Sequence, residues 1–304
     1  MNYLDLMKAK QVYSEGGNIT SFLREQFRES HNTSEIIEIA YDLQSGSYTK
    51  HANLYREGSE MFAEGLANKL RPHLNKHKSL MDVGSGELTT LSLMLNHLDS
   101  CMSKVYSLDI SWSRMYRGLE FFRENTFSKD IKLTPFVADI KQIPLSSKSI
   151  DIVTSVHALE PNGSNLPSLL KEMFRVTREK CILFEPSYEL NSEDGKRRMD
   201  KLGYIKNIEG IVRKLGGNVL DVDLLDYSAN RMNPTACYII EPPNVDIVER
   251  HDEITFSVPG TDFLLKKYGS FLASPDTGLL FPKLKGIPIL KHDSAILATS
   301  FFDE

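Results

Sequence analysis

Cysteine is scarce in this chain: there are three among 304 residues, Cys101, Cys181 and Cys237, with no paired spacing. That pattern excludes a disulfide framework and a zinc knuckle, and it suits a reducing cytoplasm. Long apolar runs are missing as well, so no window approaches the length a membrane span needs. The first ten residues carry an acid, Asp5, and no apolar core, which does not read as a signal peptide. The chain is therefore expected to be soluble and cytoplasmic, with no membrane partner. Positive charge is in deficit, the formal net charge being -5, which argues against a broad nucleic-acid surface. Lys196-Arg197-Arg198 is the only tight basic cluster, and a solvated helix face is its ordinary explanation. Internal repeats and low-complexity tracts are also absent. What remains, at 41% hydrophobic and 25% charged, is the composition of an ordinary globular protein.

Three textures divide the sequence. Residues 4–71 carry apolar positions at helical spacing, as in Phe22-Leu23, Phe27, Ile36-Ile37 and Ile39-Ala40, with a helix start at Asn32-Thr33-Ser34 and a break at Gly46. From Ser79, apolar runs alternate with helical segments: strands over 79–83, 104–108, 132–137, 150–156, 180–184, 218–223 and 236–241, and helices over 88–98, 112–124, 166–176 and 203–215. That alternation predicts an α/β fold with a doubly wound, Rossmann-like parallel sheet, which binds ligands at the carboxyl ends of its strands. Past Pro242-Pro243 come short β-like runs punctuated by Pro259-Gly260, Gly269, Gly278 and Gly286. The expected organisation is an N-terminal helical cap over 1–72, the α/β domain over 73–245 and a small β-rich C-terminal appendage over 246–304.

The first strand runs into Asp82-Val83-Gly84-Ser85-Gly86-Glu87 and then a helix. Glycines there let backbone approach a ligand at a helix N-terminus. A dinucleotide fingerprint wants a third glycine where Thr89 stands, which counts against a nicotinamide-dependent oxidoreductase. Asp82, just before the glycines, suits a ligand carrying an ammonium group. Asp109 ends the second strand and can accept two ribose hydroxyls. Asp139 follows the third and can bond an adenine amino group, with Ile110 and Ile140 flanking the purine. Each acid alone reads as a solvated strand end, but three on successive strand ends point to one adenosyl ligand.

On these motifs, with Ser149-Ile150-Asp151-Ile152-Val153 entering the fourth strand, residues 79–241 resemble a class I methyltransferase. The resemblance implies S-adenosyl-L-methionine as cofactor, held by Asp82, Gly84, Ser85, Gly86, Asp109, Ile110, Asp139 and Ile140. Glu87 departs from the family, which often has a third glycine there. The segments 41–48, Glu160-Pro161-Asn162-Gly163, 184–189 and Asn233-Pro234-Thr235 look like a bacterial subgroup found with surface-glycan biosynthesis genes. The tail over 274–282, with Gly286-Ile287-Pro288, is similar to the zinc-ribbon-like activator proteins of some tRNA methyltransferases. No cysteine follows Cys237, so thiolate zinc ligation in the tail is excluded and apolar packing must hold it. No metal site is expected.

Methyl transfer is an in-line displacement that requires alignment and, for some acceptors, removal of a proton. His157, at the end of the fourth strand, is the first candidate for a general base. Glu160 and Glu185, each before a proline, can hold substrate or cap a helix, and Tyr188 can line the acceptor pocket. Tyr41, Gln44 and Tyr48 can fold over the cofactor as part of a lid, with Gly46 and Gly58 supplying bends. The expected acceptor is oxygen or nitrogen of a small metabolite such as a sugar or glycan precursor. RNA or protein methylation through the C-terminal module, and a non-catalytic assembly module, remain as alternatives; a homo-oligomer is left open.

Overall fold

The computed structural model describes residues 3–98, 104–127, 131–228, 230–243 and 254–302. Cys101 and the expected domain boundary at 245/246 lie outside the described residues. Five helices open the chain: α1 (Tyr3–Ser14), α2 (Ile19–Phe27), α3 (Ser34–Leu43), α4 (Ser47–Leu54) and α5 (Arg56–Leu70). Asn18 and Thr33 cap α2 and α3 by accepting the Ser21 and Ile36 amides, which would otherwise lack partners. The chain turns between α3 and α4 at Gly46, whose φ of 95° is open to glycine. Gly58 is no bend; it lies inside α5, where its missing side chain leaves space for the Tyr227 hydroxyl. Ile19, Leu23, Ile36, Ile39 and Ala40 form a small core of their own. Ala63, Leu66, Ala67 and Leu70 make one apolar stripe on α5.

The central sheet holds β1 (Ser79–Val83), β2 (Lys104–Asp109), β3 (Lys132–Val137), β4 (Ile150–Val156), β5 (Thr177–Pro186), β6 (Asn218–Leu224) and β7 (Thr235–Glu241). Their order is β3-β2-β1-β4-β5-β7-β6, with β7 alone running antiparallel to its neighbours. The connecting helices are α6 (Thr89–Asn96), α7 (Trp112–Asn125), α8 (Leu166–Val176), α9 (Glu193–Leu202) and α10 (Ile208–Lys214). Successive strand residues feed opposite cores. Met81, Val153 and Leu183 pack with α8, while Leu80, Ile152 and Ile182 pack with α5 and α6. Each such side chain, fully buried, contributes about 1.5–3 kcal/mol. Strand order reverses between β1 and β4, which opens a crevice at the carboxyl ends of those strands.

The C-terminal residues form a separate antiparallel sheet of β8 (Lys266–Tyr268), β9 (Phe271–Ser274), β10 (Leu279–Leu284), β11 (Ile287–Pro288) and β12 (Ile296–Leu297). It packs in cis over the β3 edge of the large sheet, which covers otherwise unpaired backbone. The Leu290 amide donates to the Val137 carbonyl at 2.7 Å, and the Ser257 amide to Pro144 at 3.0 Å. Val258, Leu265, Leu272 and Phe281 enter the same core as Phe136. A polar tie adds to this packing: the Lys291 ammonium sits 2.6 Å from both oxygens of Glu38 on α3. Among the described residues, no helix is long and apolar enough to cross a membrane.

Candidate active site

The loop after β1 is bent back onto β2. The Gly84 and Ser85 amides both donate to the Leu108 carbonyl at 2.9 Å. Gly84 and Gly86 take φ of 73° and 55°, and a Cβ on either would collide, with Ala158 and with the Arg114 guanidinium respectively. Asp109 braces the loop from β2: Oδ2 accepts from the Gly86 amide at 2.8 Å and Oδ1 from the Ser111 amide at 2.9 Å. Asp139 accepts from the Lys141 amide through Oδ1 at 2.9 Å. Asp82 lies behind the loop, 5% exposed, with Oδ1 lacking any hydrogen-bond partner. Burial pushes its carboxyl up to about 7, against a lowering by Ser85.

Beside this loop is a cavity of about 190 Å³ lined by Gly84, Asp109, Ile110, Asp139, Ile140, Tyr48, His157 and Glu160 among others. The structure thus brings together eight of the expected site residues, drawn from the ends of four strands and from the N-terminal cap. Asp82, Ser85, Gly86, Gln44, Glu185 and Tyr188 do not line it. Gln44 closes α3, its carbonyl accepting from the Ser47 amide at 3.0 Å.

Two carboxylates fix the cap over the cavity. Glu87, at the position of the departing glycine, reaches α4 and accepts from the Gly46 and Thr49 amides at 2.9 Å each. In return Asp42, on α3, accepts from the Ser113 amide at 3.2 Å and the Ser111 hydroxyl at 2.7 Å at the start of α7. Negative charge at two helix N-termini complements their dipoles. The result brings both Tyr41 and Tyr48 against Arg114, whose guanidinium carbon lies over their rings at 5.0 and 4.5 Å from the centroids.

At the end of β4, His157 takes φ 51°. Its Nε2 is 2.7 Å from the Thr235 hydroxyl and its Nδ1 3.4 Å from Glu160 Oε2, which also accepts from the Asn233 amide at 3.2 Å. Burial disfavours charge on both: His157 is held down to about 4 and Glu160 raised to about 7. At neutral pH the pair therefore offers an uncharged imidazole beside a carboxyl close to its midpoint.

Two expected substrate contacts are placed elsewhere. Glu185 is fully buried, and its Oε1 accepts from Ser155 Oγ at 2.9 Å and from the Ala158 and Leu159 amides at 3.1 Å. It shapes the turn that carries Ala158 against Gly84, and burial raises its carboxyl to about 8. Tyr188 faces outward, its hydroxyl donating to Asp200 at 3.3 Å under the Lys206 ammonium. Arg197 pairs with Asp194 at the surface, while Arg198 turns inward to Asn233.

A second cavity, of about 550 Å³, adjoins the first across Tyr48. It lies between α4, α5, the start of α6 and Tyr227, and Phe62 in its wall meets the His157 ring edge-on at 6.1 Å. Arg114, Phe62 and Tyr227 are not among the site residues expected from the sequence, and Glu87 stood out there only as a departure from the family's third glycine. Arg114 carried a local signal of its own, being a basic residue in the first turn of a helix, where the dipole opposes it.

A sheet that reverses beside a two-glycine loop, with acids at the ends of β1 and β2 and just after β3, defines the class I methyltransferase fold. Residues 81–184 match the family model described as "Methyltransferase domain", which implies an enzyme with S-adenosylmethionine as its cofactor. Among solved structures, magnesium protoporphyrin IX methyltransferase from Synechocystis PCC 6803 with bound SAH is similar in fold, at 15% identity and a TM-score of 0.53. That likeness covers 69% of this chain and 99% of the other. A SAM-dependent methyltransferase from Methanosarcina mazei aligns at 15% identity and a TM-score of 0.48, over 57% of this chain and 96% of that one. No curated protein matches the sequence. The residues present fit the implied cofactor: an orphaned buried carboxylate oxygen on Asp82, two glycines that leave no room for side chains, and an apolar pair, Ile110 and Ile140, at the cavity wall.

Proposed function

We propose that this protein transfers a methyl group from S-adenosylmethionine to oxygen or nitrogen of a small metabolite in the cytoplasm, a sugar or glycan precursor being the class its sequence suggests. The observation that supports this most is the cavity at the strand ends, where Asp109, Asp139, Ile110 and Ile140 meet the glycine loop beside the His157–Glu160 pair. Asp109 takes the ribose hydroxyls, Asp139 the adenine amino group, and Ile110 and Ile140 the faces of the purine. When bound, the cofactor supplies an electrophilic methyl group on a sulfonium. The acceptor enters through the second cavity, past Tyr48 and Phe62, and His157 with Glu160 takes up its proton. The test is transfer of labelled methyl from S-adenosylmethionine to a panel of small acceptors, including sugar nucleotides. Label should appear in a small product, and Glu160→Gln should lower kcat by about 100-fold while binding of S-adenosylhomocysteine stays unchanged. Label found only in RNA or protein would contradict the small-metabolite reading.

Asp82 is the proposed seat of the cofactor ammonium, and this makes binding proton-linked. An ammonium favours the carboxylate, so a carboxyl raised to about 7 in the free protein loses its proton on binding. Affinity should therefore be flat above about pH 7 and fall by up to about tenfold per unit below it. Calorimetry near pH 6 in buffers of different ionisation enthalpy should show proton release, and Asp82→Asn should diminish it. A dissociation constant unchanged from about pH 5.5 to 7.5 would remove Asp82 from the site.

A further inference from the structure

Arg114 stands in the first turn of α7, where the helix dipole disfavours a cation. It is 8% exposed and lines the cofactor cavity, its guanidinium over the rings of Tyr41 and Tyr48. Its Nε has no hydrogen-bond partner. The carboxylate beside it, on Asp109, is 4.0 Å from Nη1, beyond hydrogen bonding, and both Asp109 oxygens already accept backbone amides. A buried guanidinium without a hydrogen-bonded counter-ion is costly, and its planar fork matches a carboxylate. Asp82 presents the opposite case, a buried carboxylate oxygen also without a partner. The two flank one loop: Asp82 precedes Gly84, and Arg114 fills the space that a side chain on Gly86 would need. A zwitterion satisfies both.

We infer that Arg114 receives the terminal carboxylate of the cofactor, so that the site selects adenosyl compounds whose amino-acid end is intact. The inference rests on the cofactor reading of the same cavity. It gives Arg114 a role that the stacking alone does not: Tyr41 and Tyr48 orient the fork and exclude water, and the carboxylate completes its hydrogen bonding. Since Tyr48 also walls the second cavity, the same contact fixes one side of the acceptor's path.

Decarboxylated S-adenosylmethionine keeps the sulfonium and the ammonium and lacks only the carboxylate, so it isolates the contact. Calorimetric titrations of both compounds into the wild-type protein, Arg114→Gln and Arg114→Lys form a cycle. The wild-type protein should bind S-adenosylmethionine about 10- to 100-fold more tightly than the decarboxylated compound. Arg114→Gln should bring that ratio within about threefold by weakening S-adenosylmethionine alone, and Arg114→Lys, a point charge, should fall between. A wild-type ratio near unity overturns the inference, as does a Gln variant that weakens both compounds equally, which marks a purely structural arginine. If Arg114→Gln does not fold, the wild-type and Lys ratios decide. Failure of both compounds to bind the wild-type protein is a different result, one that sinks the cofactor reading itself.

Discussion

Asp109→Ala is expected to weaken binding of S-adenosylhomocysteine by about 100-fold or more. Two contributions add in the same direction. The carboxylate loses its hydrogen bonds to the ribose hydroxyls, each charge-assisted contact being worth about 1.5–3 kcal/mol. It also releases the Gly86 and Ser111 amides that it now holds at 2.8 and 2.9 Å, so the glycine loop is no longer braced against β2. Asp109→Asn keeps one acceptor oxygen and should lose roughly tenfold. Calorimetric titration measures both. An alanine variant that binds within about threefold of wild type would show that the ribose lies elsewhere.

Gly84→Ala should lower stability by about 2–5 kcal/mol and abolish cofactor binding. One part is conformational, because φ is 73° and a side chain in that region is strained. The other is steric, because the added Cβ would overlap that of Ala158 on the turn held by Glu185. The two parts separate by design. Ala158→Gly in the Gly84→Ala background removes the overlap and leaves the strain, so urea denaturation should recover part of the loss, not all of it. A fully stable Gly84→Ala protein would mean that the loop can adopt another path.

The alternation of apolar runs and helical segments made the sheet readable, because each buried strand and each amphipathic helix carries its own periodicity. The acids at strand ends were readable because a parallel sheet delivers successive strand ends to one edge. Helix α9 was legible only as a solvated face at Lys196-Arg197-Arg198, without bounds, since Glu193–Leu202 is charged almost throughout. Its ends are set by Ser192, which accepts the Gly195 amide, and by Gly203 at φ 67°. Glu185 and Tyr188 read as substrate contacts from their place after the fifth strand. Direction along a strand end is a tertiary matter, and one turns into the backbone of 158–159 while the other faces Asp200. The surroundings of Arg114 were beyond reach for the same reason: Tyr41 and Tyr48 arrive from elements about 70 residues earlier in the chain, fixed there by the Glu87 and Asp42 caps.

A crystal structure of the protein grown with S-adenosylhomocysteine tests most directly whether these strand-end groups share one ligand. The expected result is a single molecule with its ribose hydroxyls within about 3 Å of Asp109, its purine between Ile110 and Ile140, and its amino-acid end between Asp82 and Arg114. Electron density for the ligand anywhere else, or a cavity that stays empty at saturating concentration, would contradict it.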